Sequence, residues 1–163
     1  MALKSDRSTL QTDISFFMNE TATRGGVACV STAGSGAGMD QGSALVTYGA
    51  VPSGKVPVGM LMNDMVNLDL TRQHLNQHKD EVQKGGKVTL LQKGWVVTSS
   101  LQGTDPSAGS PAYLAHSGNL SITDVSSDDT DADGSTRLVG RFLSVKDEDG
   151  YAKVFIDLPN TNI

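Results

Sequence analysis

The firmest constraint on the fold lies near the C-terminus, where RLVGRFLSV and YAKVFIDL flank the segment KDEDG. Leu138 and Phe142, and then Val154, Ile156 and Leu158, fall at alternate positions, the period of a strand with one buried face. Asp149-Gly150 between the two runs supplies turn chemistry, so residues 137–158 are expected to form a β-hairpin. The same form recurs upstream. KVTLLQKGWVVTS reads as two strands broken at Lys93-Gly94, PAYLAHSGNLSIT turns at Ser117-Gly118-Asn119, and KVPVGMLMNDMV is an apolar run bounded by Pro and Asp. No long amphipathic helix interrupts this series. The expected fold class is therefore all-β, a small β-barrel or sandwich of short antiparallel strands, with residues 45–163 as the barrel domain.

Residues 1–44 read differently, as an N-terminal arm and Gly-rich loop. Leu10, Ile14 and Phe17 are spaced i, i+4, i+7 with Ser8 as a cap, which predicts a short helix within SDRSTLQTDISFFMNE. VACV is a strand candidate, and STAGSGAGMDQGS after it has almost nothing to pack. The apolar patch of Leu10, Ile14, Phe16, Phe17 and Met18, tethered by that loop, reads as an adhesive arm that docks on a neighbour. Deleting residues 1–24 is then expected to leave the barrel folded while abolishing the docking.

Composition narrows the function more than the fold. A chain of 163 residues is long enough for one domain and should bury roughly 70% of its unfolded surface. A net charge of -5 offers no general attraction to phosphate backbones, which argues against nucleic acid as a partner. MALKSDRSTLQTD lacks the apolar core of a signal peptide, and no run is long enough to cross a bilayer, so no membrane partner is expected. Cys29, the lone cysteine, stands in an apolar run where a small buried hydrophobe is expected. Charged residues make up 19% of the chain, below the usual figure of about 25%, and Gly reaches 18, a profile that suits strands joined by many turns.

Each motif that carries chemistry stops short of a complete site. Asp129, Asp131 and Asp133 alternate before Gly134 as in the opening of an EF-hand, but the twelfth position is Gly140 where the bidentate Glu is needed. They are weak metal candidates, and a solvated turn is the favoured reading. His74 and His78 could share a metal, yet Leu75 stands where a metalloprotease carries its Glu, and no third ligand is evident. Gly34-Ser35-Gly36-Ala37-Gly38 leads toward strands, not into the helix that a dinucleotide loop requires. No nucleophile elbow is present, and Trp95 reads as a core or rim anchor. The expectation is a protein that is no enzyme and takes no cofactor.

Several stretches together carry a likeness: Val56-Pro57-Val58-Gly59-Met60, Gly85-Gly86-Lys87-Val88-Thr89, Lys93-Gly94-Trp95, Ala112-Tyr113-Leu114, the run Leu138 to Leu143, and the closing strand Ala152 to Leu158. In these the chain resembles the capsid decoration, or cement, proteins of tailed bacteriophages, most nearly those of phages that infect cyanobacteria. The resemblance implies a virion structural protein that binds the outer surface of the head and stabilises it by bridging major capsid protein subunits. It further implies synthesis in the host cytoplasm, with the major capsid protein and neighbouring copies of the chain, as a dimer or trimer, for partners. The alternative reading is a calcium-dependent binding module or tail-associated adhesin that uses Asp129, Asp131 and Asp133.

Overall fold

The computed structural model describes Leu3 and residues 8–31, 45–64, 81–124 and 137–158. The strands are β1 (Ser8–Asp13), β2 (Phe17–Met18), β3 (Ala22–Thr23), β4 (Val27–Val30), β5 (Leu45–Thr47), β6 (Pro57–Asp64), β7 (Glu81–Val82), β8 (Val88–Thr98), β9 (Pro111–Leu114), β10 (Leu120–Ser121), β11 (Leu138–Phe142) and β12 (Ala152–Asp157). One 3-10 turn, His116–Gly118, is the helical element among the described residues. The main sheet runs β10-β9-β11-β12-β8-β6-β4-β5-β2, with β1 also paired to β8, and β3 pairs separately with β7. Because β10 and β2 at its ends do not pair, the sheet is open, and the all-β fold is sandwich-like and not a closed barrel.

The middle of the sheet is buried on both faces. Successive strand residues point to opposite sides, so Val27 and Cys29 of β4, Met60 and Met62 of β6 and Leu91 of β8 enter one core, while Ala28, Leu61 and Leu90 enter the other. Val27–Cys29, Met60–Met62 and Leu90-Leu91 are therefore continuous buried apolar runs where a half-buried strand would alternate. The first core is completed by Ala112 and Leu114 of β9, Val139 and Phe142 of β11, and Val154 and Ile156 of β12. Met18, Ala22, Val46, Val82 and Val88 complete the second, with Phe16, Tyr48 and Val58 packed against it.

The expected hairpin forms as β11 and β12, with Gly140 opposite Ile156, Arg141 opposite Phe155 and Phe142 opposite Val154. Its turn is held by the Asp147 carboxylate, which accepts hydrogen bonds from the Asp149 N–H at 3.1 Å and the Tyr151 N–H at 2.7 Å. Alternation fails in one place. A register irregularity between Leu138 and Gly140, on the side facing β9, turns Val139 into the core and leaves Leu138 half-buried. Gly140 permits the close approach of β12, since a Cβ there would run into the Phe155 carbonyl oxygen.

Two expectations are corrected here. KVTLLQKGWVVTS is one strand of 11 residues, β8, and not two. Gly94, with φ of +146°, bends the strand without ending it, and a Cβ at Gly94 would run into the carbonyl oxygen of Ser8 on β1. The N-terminal helix is also replaced by strands. β1 pairs antiparallel with β8 from Ser8 opposite Trp95 to Asp13 opposite Leu90. The helical spacing of Leu10 and Ile14 offers no buried stripe, because both remain exposed, at 63% and 45%. β1 ends where the Asp13 Oδ1 accepts from the Ser15 N–H at 2.7 Å and the Ser15 hydroxyl at 2.5 Å.

The division at residue 44 does not divide the sheet, since β1, β2 and β4 lie before it and pair with β5, β6 and β8 beyond it. Met18 is wholly buried, and removing such a side chain from water stabilises a fold by about 1.5–3 kcal/mol. The segment around it is anchored accordingly. Met18 N donates to the Gly86 carbonyl at 2.9 Å, Gly85 N to the Met18 carbonyl at 2.7 Å, and Val88 N to the Phe16 carbonyl at 3.0 Å.

Candidate interaction surface

Among the described residues no group of three or more His, Cys, Asp and Glu side chains is placed to hold a metal ion. Asp129, Asp131 and Asp133, His74 and His78, and the run from Gly34 to Gly38 lie outside the described residues. Cys29 is buried, and the loss of hydration pushes its thiol up to about 12, which keeps it protonated and unreactive. His116 is held in its turn by Gln102, whose Oε1 accepts from the His116 N–H at 3.0 Å and whose Nε2 lies 3.0 Å from Nδ1. What the described residues present instead is surface.

Register aligns one row of side chains across the sheet. Pro111 of β9 stands opposite Arg141, Arg141 opposite Phe155, Phe155 opposite Trp95, and Trp95 opposite Ser8 of β1. Their neighbours Phe142, Val154, Ile156 and Val96 point into the first core, so this row faces away from it. Phe155 and Trp95 are only half-buried, and Arg141 and Pro111 are exposed. The Lys153 ammonium sits 5.2 Å from the centre of the Trp95 ring, and in the adjoining row Lys93 Nζ pairs with Asp157 Oδ1 at 3.3 Å. Both interactions are partly solvated and of modest strength. The result is an amphipathic platform of aromatic side chains with cations at its margin.

β1 forms the rim of that platform. β6 and β12 each share β8 residues with β1, at Leu90 and Leu91 and at Lys93 to Trp95, so β1 must occupy the opposite edge of β8. No other strand among the described residues pairs with the far edge of β1. Its pairing is irregular between Thr9 and Gln11 and again between Gln11 and Thr12. Leu10 stands at the first of these irregularities and projects into solvent.

The five residues read from the sequence as an adhesive arm thus separate into groups. Leu10 and Ile14 are exposed. Phe16 and Phe17 are half-buried, with the Lys87 ammonium 5.9 Å from the Phe17 ring. Met18 is fully buried in the second core and is not presented by the folded chain. Sequence reasoning missed the platform, because the meeting of Trp95 with Phe155 depends on register between strands far apart in the chain.

Residues 3–157 match the phage family described as structural cement protein (E217 gp24/Pam3 gp6). No curated protein matches the chain. The match covers nearly the whole sequence, the strand-built body is of the kind a structural protein needs, and the chain belongs to the phage structural cement protein family.

Proposed function

We propose that the chain stabilises a phage head by binding its outer surface and bridging neighbouring major capsid protein subunits, as a dimer or trimer placed near a symmetry axis. The proposed contacts are Leu10 and Ile14 on the rim together with the platform of Trp95, Phe155 and Arg141. The observation that carries the reading is the exposure of Leu10 on the edge strand β1 and of Ile14 just past its end, beside that platform, in a chain whose family is one of structural cement proteins. Exposed apolar groups that adjoin others in one patch mark interaction surfaces, and an aromatic-plus-arginine centre is the usual composition of interface anchors. Interfaces of about 800 Å² per partner, repeated over a shell, act together and stabilise it by mass action. Phe16, Phe17 and Met18 serve in this reading as the anchor that fixes the rim to the body. The source phage is proposed to infect cyanobacteria, and the chain to be made in the cytoplasm of that host before joining the virion.

Purified heads lacking the protein provide the test. The wild-type chain should co-sediment with them and raise the temperature at which they disrupt, while the double variant Leu10→Asp, Ile14→Asp should stay in the supernatant with its own melting temperature unchanged. Full retention of that variant on heads would remove the rim from the interface.

A further inference from the structure

We infer that a cleft on the same body is a receptor for one basic side chain, a guanidinium or an ammonium, of a partner protein. The cleft has a volume of about 420 Å³ and is lined by Glu20, Thr23, Tyr48, Ser100, Ser117 and Asn119 among others. That volume lies within the range of pockets that take small ligands. The lining is hydroxyl-rich with one side-chain amide, Asn119, and its one charged group is the Glu20 carboxylate. Glu20 Oε1 is fixed by the Thr47 hydroxyl at 2.5 Å and the Tyr48 N–H at 2.6 Å. No basic side chain among the described residues is paired with Glu20, which is half-buried. A carboxylate held in place, partly withdrawn from water and with no counter-ion among the described residues favours a cation that brings its own donors.

The walls are rigid enough to present that charge in one geometry. They come from segments distant in sequence and are tied together by the Tyr48 hydroxyl, which donates to the Thr23 carbonyl and accepts from the Gly26 N–H at 3.1 Å. The Ser117 N–H donates to the Gly49 carbonyl at 3.0 Å, and Ser117 is held at φ of 55°, a conformation unusual for a residue with a side chain. Pre-ordered walls cost little further entropy on binding. The chain is acidic overall, at -5, which adds a long-range attraction for a basic partner.

The identity of the partner as a capsid subunit rests on the function proposed above; the receptor itself does not. The first arm of the test therefore uses small probes. Acetyl-arginine amide titrated into the 15N-labelled full chain should shift the amides of Glu20, Tyr48, Ser117 and Asn119 saturably, with the neutral acetyl-citrulline amide giving no such shifts. Glu20→Gln keeps an acceptor for Thr47 and Tyr48 but removes the charge, and should weaken probe binding about tenfold, the scale of one charge-assisted hydrogen-bonded pair. Ala50→Trp, at an exposed position of the lining, should block the cleft without disturbing the cores. No shifts at probe concentrations of about 50 mM, beyond the millimolar affinity expected of one side chain, or equal shifts with citrulline, would overturn the receptor. In the second arm, Glu20→Gln and Ala50→Trp should each weaken binding to heads. Unchanged binding of both variants, with the wild-type bound, overturns the placement of the cleft in the capsid interface; failure of the wild-type to bind overturns the proposed function and leaves the probe result to stand by itself.

Discussion

Replacing Tyr48 with Phe removes a single oxygen atom and tests whether that hydroxyl pins the connection between β3 and β4 to the end of β5. The ring is wedged against Gly26 and Gly118, where a Cβ would lie 2.9 Å from Tyr48 Cζ and 2.8 Å from Tyr48 Cδ1, so the phenylalanine ring would keep its place. What changes is the hydrogen bonding. The Thr23 carbonyl loses a donor but belongs to an exposed residue and can turn to water; the N–H of buried Gly26 loses its acceptor, with no solvent to replace it. Leaving such a group unpaired costs about 1–3 kcal/mol, and at about 2–4 °C per kcal/mol for a chain of this size the melting temperature should fall by about 2–12 °C. Thermal unfolding followed by far-ultraviolet circular dichroism measures the shift. Amide exchange at Gly26 should be slow in the wild type, where the N–H is buried and bonded, and faster in the variant. A melting temperature within a degree of the wild type, with Gly26 still protected, would refute the account of the hydroxyl as the acceptor that this N–H depends on.

Other outcomes follow from the same structure. Gly140→Ala should destabilise by about 1–3 kcal/mol, read as a loss of urea midpoint, because the new methyl meets backbone atoms of Phe155 and Ile156 that cannot step aside. Cys29 should resist a thiol reagent at pH 8 until urea unfolds the chain; immediate labelling of the native protein would contradict its burial. Burial raises the Cys29 thiol from 9.0 to about 12, and it also raises the Tyr48 phenol. Groups raised in the folded state contribute stability that is complete below their unfolded values and lost as pH climbs through the folded ones. Melting temperature should accordingly be insensitive to these groups at neutral pH and decline from about pH 9 upward, and Cys29→Ala should soften the decline. Deleting residues 1–24 should lower stability sharply, since it takes β1 and Met18 with it; a truncated chain with the wild-type melting temperature would show that the second core closes without them.

The parts of the fold legible in the sequence are those whose signal is local. Val154, Ile156 and Leu158 alternate because β12 buries one face, and Asp147 through its carboxylate and Gly150 through its positive φ shape the adjoining turn, so the hairpin could be read from a short window. Cys29 was legible for the same reason, as a small side chain within an apolar run. The N-terminal segment was not. Leu10, Ile14 and Phe17 fit a helical period, and the choice of strand is made by pairing with β8, about eighty residues away. Lys93-Gly94 looked like a break because Gly usually punctuates strands; here it admits the backbone of Ser8, a demand that no local window contains. Of the candidate surface, Leu10 and Ile14 were visible as apolar residues without an obvious partner. The platform and the cleft were not, because Trp95 meets Phe155, and Glu20 meets Tyr48, only after the sheet has assembled.

β8 touches β1, β6 and β12 and supplies side chains to both cores. Ladder hydrogen bonds run across the strands, so tension drawn along Val88–Thr98 strains many of them at once and cannot peel them one after another. In the role proposed above, a clip under load yields at its weakest line. Among the described residues the longest strand supplies both cores, so the two cores cannot be drawn apart while β8 stays whole.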